Sequence, residues 1–300
     1  MLFSSMETAW GYSRPLEAGD FLKHDSFTAA LKRDARLDSD YPFSIISSPC
    51  LIQLAREHGL ELFEAQSICL DKHILPERYL RNFSSISFSE QKKLADSQVL
   101  LVGLGGLGGY ILEILGRAGV GGFVLADGDC FEDSNLNRQI LATVDTIEKP
   151  KVIAAKVRLE SVNPFCRIQT ARAFLKAEDL PGLVKDVHLV VDALGGVEFR
   201  PVLLRETSRC KIPLVTGFVA GNTGLASTVY PGGKSPAMFW QGKNSDGAET
   251  VLGNTAPMVS LIASVQSQEA IRILSGKESG LSDRVFMADF ETMSFELLKL

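Results

Sequence analysis

The chain has 300 residues, 45% of them hydrophobic and 22% charged, a length that buries roughly three quarters of the unfolded surface without staples. Its 31 basic and 36 acidic residues leave a net charge of −5 with no basic block, which argues against a nucleic-acid or membrane-surface role. Intrinsic disorder and collagen-like structure are excluded by the same composition.

The N-terminus, MLFSSMETAWGYSRPLEAGD, lacks the basic start and apolar run of a secretory signal, so a cytoplasmic location is expected. Residues 26–36 and 49–58 carry apolar residues at helical spacing; Gly59 breaks the second before LELFEAQSICL restarts the pattern. These segments predict a small helical subdomain over residues 1–75, ending near Leu75-Pro76. Two helices around a glycine turn also outline a DNA-reading motif, but a packed hairpin is the commoner outcome.

Residues 76–300 form the second expected domain. After residue 97, short apolar runs alternate with helices, the pattern of a Rossmann-like α/β fold: a mainly parallel sheet with helices on both faces. The predicted strands are Val99 to Val102, Phe123 to Ala126, Ile168 to Ala173, Leu189 to Val191 and Leu214 to Thr216, with helices starting near Leu107, Lys151 and Phe199. Beyond Phe218, GLASTVYP, RVFMADF and MSFELLKL read as an antiparallel C-terminal extension. Gln241 to Thr255 reads as a mobile loop crossing the sheet edge, followed by an amphipathic helix from Pro257 to Leu274. Residues 99–126 are apolar, but their glycines and the charges of Glu113 and Arg117 favour a buried strand, turn and helix over a membrane span. Five cysteines, at 50, 69, 130, 166 and 210, form neither a disulfide frame nor a C-x-x-C clip, and the four histidines make no metal-binding pattern.

LLVGLGGLGGYILEIL places Gly103, Gly105, Gly106 and Gly108 between a strand and a helix. Glycines permit the tight turn and close approach of a phosphate, and the helix N-terminus offers amide hydrogens to it. Asp127 ends the next strand, where a carboxylate accepts hydrogen bonds from ribose. These features alone would suggest nicotinamide binding. The following DGDCFEDSNLNRQ and KPK change that reading, because Asn135 and Arg138 would share one face if helical and Lys151 opens the next helix. Such a cluster suits a triphosphate, whose departing pyrophosphate gains charge that fixed cations neutralise.

RYLR, GLGGLG, GVGG, DGD, SNLNRQ, KPK with a later NP, and GNTAPMVSLIASVQSQEAIRILSG stand in the order and spacing of the MoeB/ThiF/HesA group, relatives of ubiquitin-activating enzymes. The chain resembles that family from Arg78 through Gly276. The resemblance implies an ATP- and magnesium-dependent adenylyltransferase. It would activate the C-terminal Gly-Gly carboxylate of a ubiquitin-like sulfur-carrier protein as an acyl-adenylate. It further implies that Gly103, Gly105, Gly106, Gly108, Asp127, Asp129, Ser134, Asn135, Arg138 and Lys151 bind nucleotide, with Arg138 and Lys151 also catalytic. Arg81, the last residue of RYLR, resembles the arginine that reaches the neighbouring subunit's triphosphate, so a homodimer is implied.

Three departures from the family pattern bear on this expectation. Where D-x-x-D-N is usual, this chain reads Asp192-Ala-Leu-Gly195-Gly196, so a magnesium-holding aspartate is replaced by Gly195 and Asp192 becomes the candidate ligand, with Asp129 an alternative. The structural zinc of many relatives is not expected, since the corresponding segment is KSPAMFW. The crossing loop reads GAETVLG without a cysteine, so no covalent carrier intermediate is expected there. The competing readings are a nucleotide-binding or carrier-docking protein that has lost catalysis, a branch activating a carboxylate on tRNA, and a nicotinamide-dependent oxidoreductase.

Overall fold

The computed structural model describes residues 18–37, 39–236 and 251–300, with side chains from residue 23 onward in the first segment. The chain divides into two compact units, residues 1–78 and 79–300.

In the first unit, helices α1 (Ala18–Asp34), α2 (Ser48–Glu57) and α3 (Leu62–Asp71) follow the expected apolar periodicity. Ser47 caps α2 by accepting the N–H of Cys50 at 3.4 Å, and Pro49 occupies its first turn, where a missing N–H costs nothing. Phe27, Leu31, Leu51 and Leu54 fill the core. Cys69 is also buried there; its thiol donates to the Ile74 carbonyl at 3.1 Å, and burial pushes its pKa upward, which leaves it a packing residue. The unit also holds a three-stranded sheet, β1 (Arg36–Leu37), β2 (Ser44–Ile46) and β3 (Ile74–Pro76), that the helical reading missed. Strands of two or three residues are too short to show alternation.

The second unit is built on an eight-stranded sheet: β4 (Gln98–Val102), β5 (Gly122–Ala126), β6 (Arg167–Ala171), β7 (Leu189–Asp192), β8 (Leu214–Ala220), β9 (Thr223–Val229), β10 (Arg284–Asp289) and β11 (Ser294–Lys299). Their order is β11-β10-β9-β8-β7-β4-β5-β6. Strands β8, β7, β4, β5 and β6 are parallel, and β9, β10 and β11 extend the sheet antiparallel. Every residue of β4, β5 and β7 is buried, as expected where helices cover both faces. The chain steps from β4 to β5 on one side and later returns to place β7 on the other side of β4. That reversal opens a crevice beyond the C-terminal ends of β4 and β7, where open α/β sheets bind ligands.

The helices are α4 (Phe88–Asp96), α5 (Gly106–Ala118), α6 (Lys151–Val162), α7 (Leu180–Val184), α8 (Arg200–Arg209) and α9 (Ala256–Ser275). A reciprocal Ser87–Glu90 capping box starts α4. Helix α9 lies close to the sheet and to α5; a Cβ at Gly224 would fall 2.4 Å from Ile262. The expected crossing loop over residues 241–255 lies outside the described residues as far as 250; beyond that, the Gly253 carbonyl accepts the N–H of Gly221 at 2.7 Å. Among the described residues, no helix is long and apolar enough to cross a membrane.

Candidate functional site

A cavity of about 680 Å³ sits at the crevice, walled by the loops that follow β4, β5 and β7. Gly103, at φ +92°, turns the chain from β4 toward α5. A Cβ there would lie 2.6 Å from the Ala193 carbonyl, so the glycine also lets the β7 loop close against the β4 loop. Gly105 and Gly106 line the cavity at the first turn of α5, where unpaired N–H groups and the helix dipole favour an anion. Gly108 lies outside the lining; a Cβ on it would fall 1.9 Å from the Gly103 carbonyl, so its glycine serves loop packing.

Asp127, Asp129, Arg138 and Lys151 all line this cavity. The Asp127 carboxylate ties two walls together, accepting the N–H of Leu104 at 2.7 Å and of Asp129 at 2.8 Å. Each oxygen retains acceptor capacity for a hydroxyl. Lys151 is buried at the start of α6, with Nζ 3.1 Å from Asp129 Oδ2.

The segment after Asp129 is not the helix that one-face spacing of Asn135 and Arg138 requires. Residues 133–135 form a 3-10 turn. Asn135 is buried, accepts the Glu132 N–H at 3.1 Å and donates to Ser134 Oγ at 3.3 Å, which closes the turn. The Ser134 carbonyl accepts from Arg138 Nη1 at 3.0 Å, and Asn137 Oδ1 accepts from the same nitrogen at 2.8 Å. Ser134 and Asn135 thus sit outside the cavity lining and shape the turn that presents Arg138. Arg81 lies exposed on the 3-10 turn Glu77–Asn82 and is not part of the lining.

Asp192, the candidate metal ligand, has a different occupation. Its carboxylate is 1% exposed and ion-paired with Arg200, which is itself 5% exposed. Thr216 Oγ1 donates to the same carboxylate at 2.7 Å and the Leu194 N–H at 3.1 Å. Arg200 also donates to the Gly196 carbonyl at 2.8 Å and to the Leu194 carbonyl, and its guanidinium stacks 3.8 Å from the centre of the Phe218 ring. This knot fixes the Ala193–Gly196 wall, and lining residues Arg200 and Phe218 were not legible as site residues because their partners come from β7 and β8. The donor set does not fit a protein-held magnesium: Asp127 is bound by backbone, Asp129 by Lys151 and Asp192 by Arg200. Among the described residues, no group of three His, Cys, Asp or Glu converges as a metal site.

Two further residues escaped the sequence. Phe174 lines the cavity while 73% exposed, and its ring packs over Gly128, where an added Cβ would fall 2.7 Å away. Gln139 is buried in the wall beside Gly105, and its Oε1 has no hydrogen-bond partner. Chemically, the cavity combines a helix N-terminus, the cations Arg138 and Lys151 and a carboxylate anchor with an aromatic lip, which together suit a nucleoside polyphosphate.

Comparison with known proteins agrees with this fold. Residues 77–300 match the ThiF family. Molybdopterin-synthase adenylyltransferase of Haemophilus influenzae is 34% identical over 74% of this chain and 94% of its own. Sulfur carrier protein ThiS adenylyltransferase of Bacillus subtilis is 35% identical over 67% of this chain and 62% of its own. Among solved structures, the microcin C7 biosynthetic enzyme MccB in complex with N-formylated MccA superposes with a TM-score of 0.66 at 18% identity, covering 93% of this chain and 86% of its own. Escherichia coli MccB with ATP superposes similarly, at a TM-score of 0.63 and 19% identity over 91% of this chain and 82% of its own. From its glycine loop to its C-terminal strands, the chain belongs to the ThiF family and is an enzyme of the adenylyltransferase type.

Proposed function

We propose that the protein activates the C-terminal carboxylate of a ubiquitin-like sulfur-carrier protein by transferring AMP from ATP. A carboxylate resists nucleophilic attack, whereas its mixed anhydride with AMP has a good leaving group. The triphosphate would lie at the N-terminus of α5 beside Gly105 and Gly106, with Asp127 holding the ribose. The carrier's carboxylate would attack the α-phosphorus, and the bond to the bridging oxygen of pyrophosphate would break. Arg138 and Lys151 would then meet the charge that grows on the departing group, which is where fixed cations lower the barrier most. Substrate ATP would bring magnesium with it.

The observation that supports this reading best is the convergence of Gly106, Asp127, Arg138 and Lys151 on one cavity at the switch point of the sheet. Its relatives in H. influenzae and B. subtilis are named for the same class of reaction. Arg81 is assigned to the neighbouring subunit's site in a cytoplasmic homodimer, a role that suits an exposed side chain outside its own cavity lining. Carrier-dependent exchange of labelled pyrophosphate into ATP tests the proposal. Exchange with a Gly-Gly-ended carrier is the expected result; intact ATP binding without exchange for any such carrier would contradict it.

A second reading starts from the N-terminal unit. The H. influenzae relative covers 74% of the chain, whereas the MccB complex covers 93% and so reaches into that unit. On this reading the activated substrate is an MccA-like chain instead of a folded carrier. Pyrophosphate exchange stimulated by MccA and not by sulfur carriers would favour it.

A further inference from the structure

This inference rests on the reading of the cavity as an ATP site and concerns how that site treats the metal accompanying ATP. Magnesium in a nucleotide site usually takes one or two protein carboxylates besides phosphate oxygens. Two of the candidates here, Asp129 and Asp192, would have to abandon a buried cation. Turning Asp129 to a metal would strip Lys151, 8% exposed at its side chain, of its counter-charge. Turning Asp192 would strand Arg200 in the interior and release the Ala193–Gly196 wall that it holds. Asp127 accepts the Leu104 N–H with one oxygen and the Asp129 N–H with the other, and the acceptor capacity that remains is what the ribose hydroxyls would take.

Position 195 adds a positive observation. Gly195 lines the cavity, and a Cβ built there meets nothing within 4 Å. The space in which a carboxylate would reach the ligand is therefore open, and the chain places no side chain in it. Glu198 also lines the cavity, but it is exposed and stands alone at the rim.

We infer that the metal accompanying ATP is held by phosphate and water oxygens alone, and that the protein grips the metal–nucleotide complex through its phosphates and sugar. The metal then enters with ATP and leaves with pyrophosphate. Within one subunit, Arg138, Lys151 and the α5 N-terminus then meet the phosphates in place of a protein-held metal.

Manganese(II) serves as the probe, read by electron paramagnetic resonance titration, with ATP binding measured in parallel by calorimetry. Manganese should bind protein-held ATP no more tightly than free ATP. Gly195→Asp should bind it about tenfold more tightly, the scale of one added metal-site interaction. A wild-type gain in manganese affinity as large as that of Gly195→Asp overturns the inference. A wild-type gain in manganese affinity that disappears in Glu198→Gln overturns it too and makes Glu198 the ligand. Absence of ATP binding in the calorimeter removes the ATP reading first and this inference with it, so the two failures are distinguishable.

Discussion

Lys151 Nζ rests 3.1 Å from Asp129 Oδ2 at the foot of the cavity, the lysine buried and the aspartate half exposed. The pair aims a cation into the site while giving it a counter-charge at rest. Phosphate arrival would compete with Asp129 for the same ammonium group. Lys151→Ala should therefore lower kcat by about 100- to 1,000-fold with a smaller change in KM, because the charge it meets grows in the transition state. A change confined to KM in steady-state kinetics would show that Lys151 holds the ground state only.

Arg200→Met removes one partner of a buried ion pair and should lower stability by about 3–5 kcal/mol, since Asp192 would be left charged without compensation. Combining it with Asp192→Asn should recover part of that loss. Denaturant titration of the single and double variants measures both effects. Equal stability of single and double variants would show that the aspartate finds another partner.

Phe174 offers an exposed ring at the cavity lip, placed to stack on a base. Phe174→Ala should weaken nucleotide binding by about 1 kcal/mol or more, the usual worth of base–aromatic stacking, and leave folding intact. Isothermal titration with ATP reads this directly; an unchanged Kd would remove Phe174 from the site.

The two glycine loops should respond oppositely to a methyl group. Gly108→Ala drives a Cβ to within 1.9 Å of the Gly103 carbonyl, an overpacking that should cost about 1–3 kcal/mol and distort the loop. Gly195→Ala enters open space and should change stability by about 0.5 kcal/mol or less. Thermal melts of both variants give the comparison.

Glu113 on α5 accepts hydrogen bonds from Arg158 on α6 at 2.8 Å and from Arg117 at 2.8 Å. Burial pushes its carboxyl upward, but the Arg158 and Arg117 hydrogen bonds outweigh that and hold it below its unfolded value of 4.5. A depressed folded pKa gives stability that is present above 4.5 and lost as pH falls through the folded value. Wild type should therefore exceed Glu113→Gln in denaturant resistance at neutral pH, with the gap closing in acid below that point. A gap independent of pH would assign the effect to packing.

The parallel strands and the glycine loop were legible because apolar runs and glycine spacing are local signals. Asp127, Arg138 and Lys151, each standing in a short motif, line one cavity with that loop. The helix over Asn135 and Arg138 was not to be settled from the sequence, because a spacing of three residues fits a 3-10 turn as well as an α-helix, and buried Asn135 uses its amide in that turn. The partners of Asp192, Arg200 and Thr216, were not legible because the crossover from β7 to β8 brings them to it. Phe174 was not legible as a lining residue because nothing in the sequence tells a loop aromatic at a cavity mouth from one inside the core. The strands β1 to β3 were too short to leave a period.

The central claim is that ATP binds where the β4 loop, Asp127 and Arg138 meet. A crystal structure of the protein with a non-hydrolysable ATP analogue tests it most directly. The phosphates should lie at the N-terminus of α5, the ribose hydroxyls on Asp127 and the purine beneath Phe174. A fully occupied analogue bound elsewhere, with this cavity filled only by solvent, would contradict it.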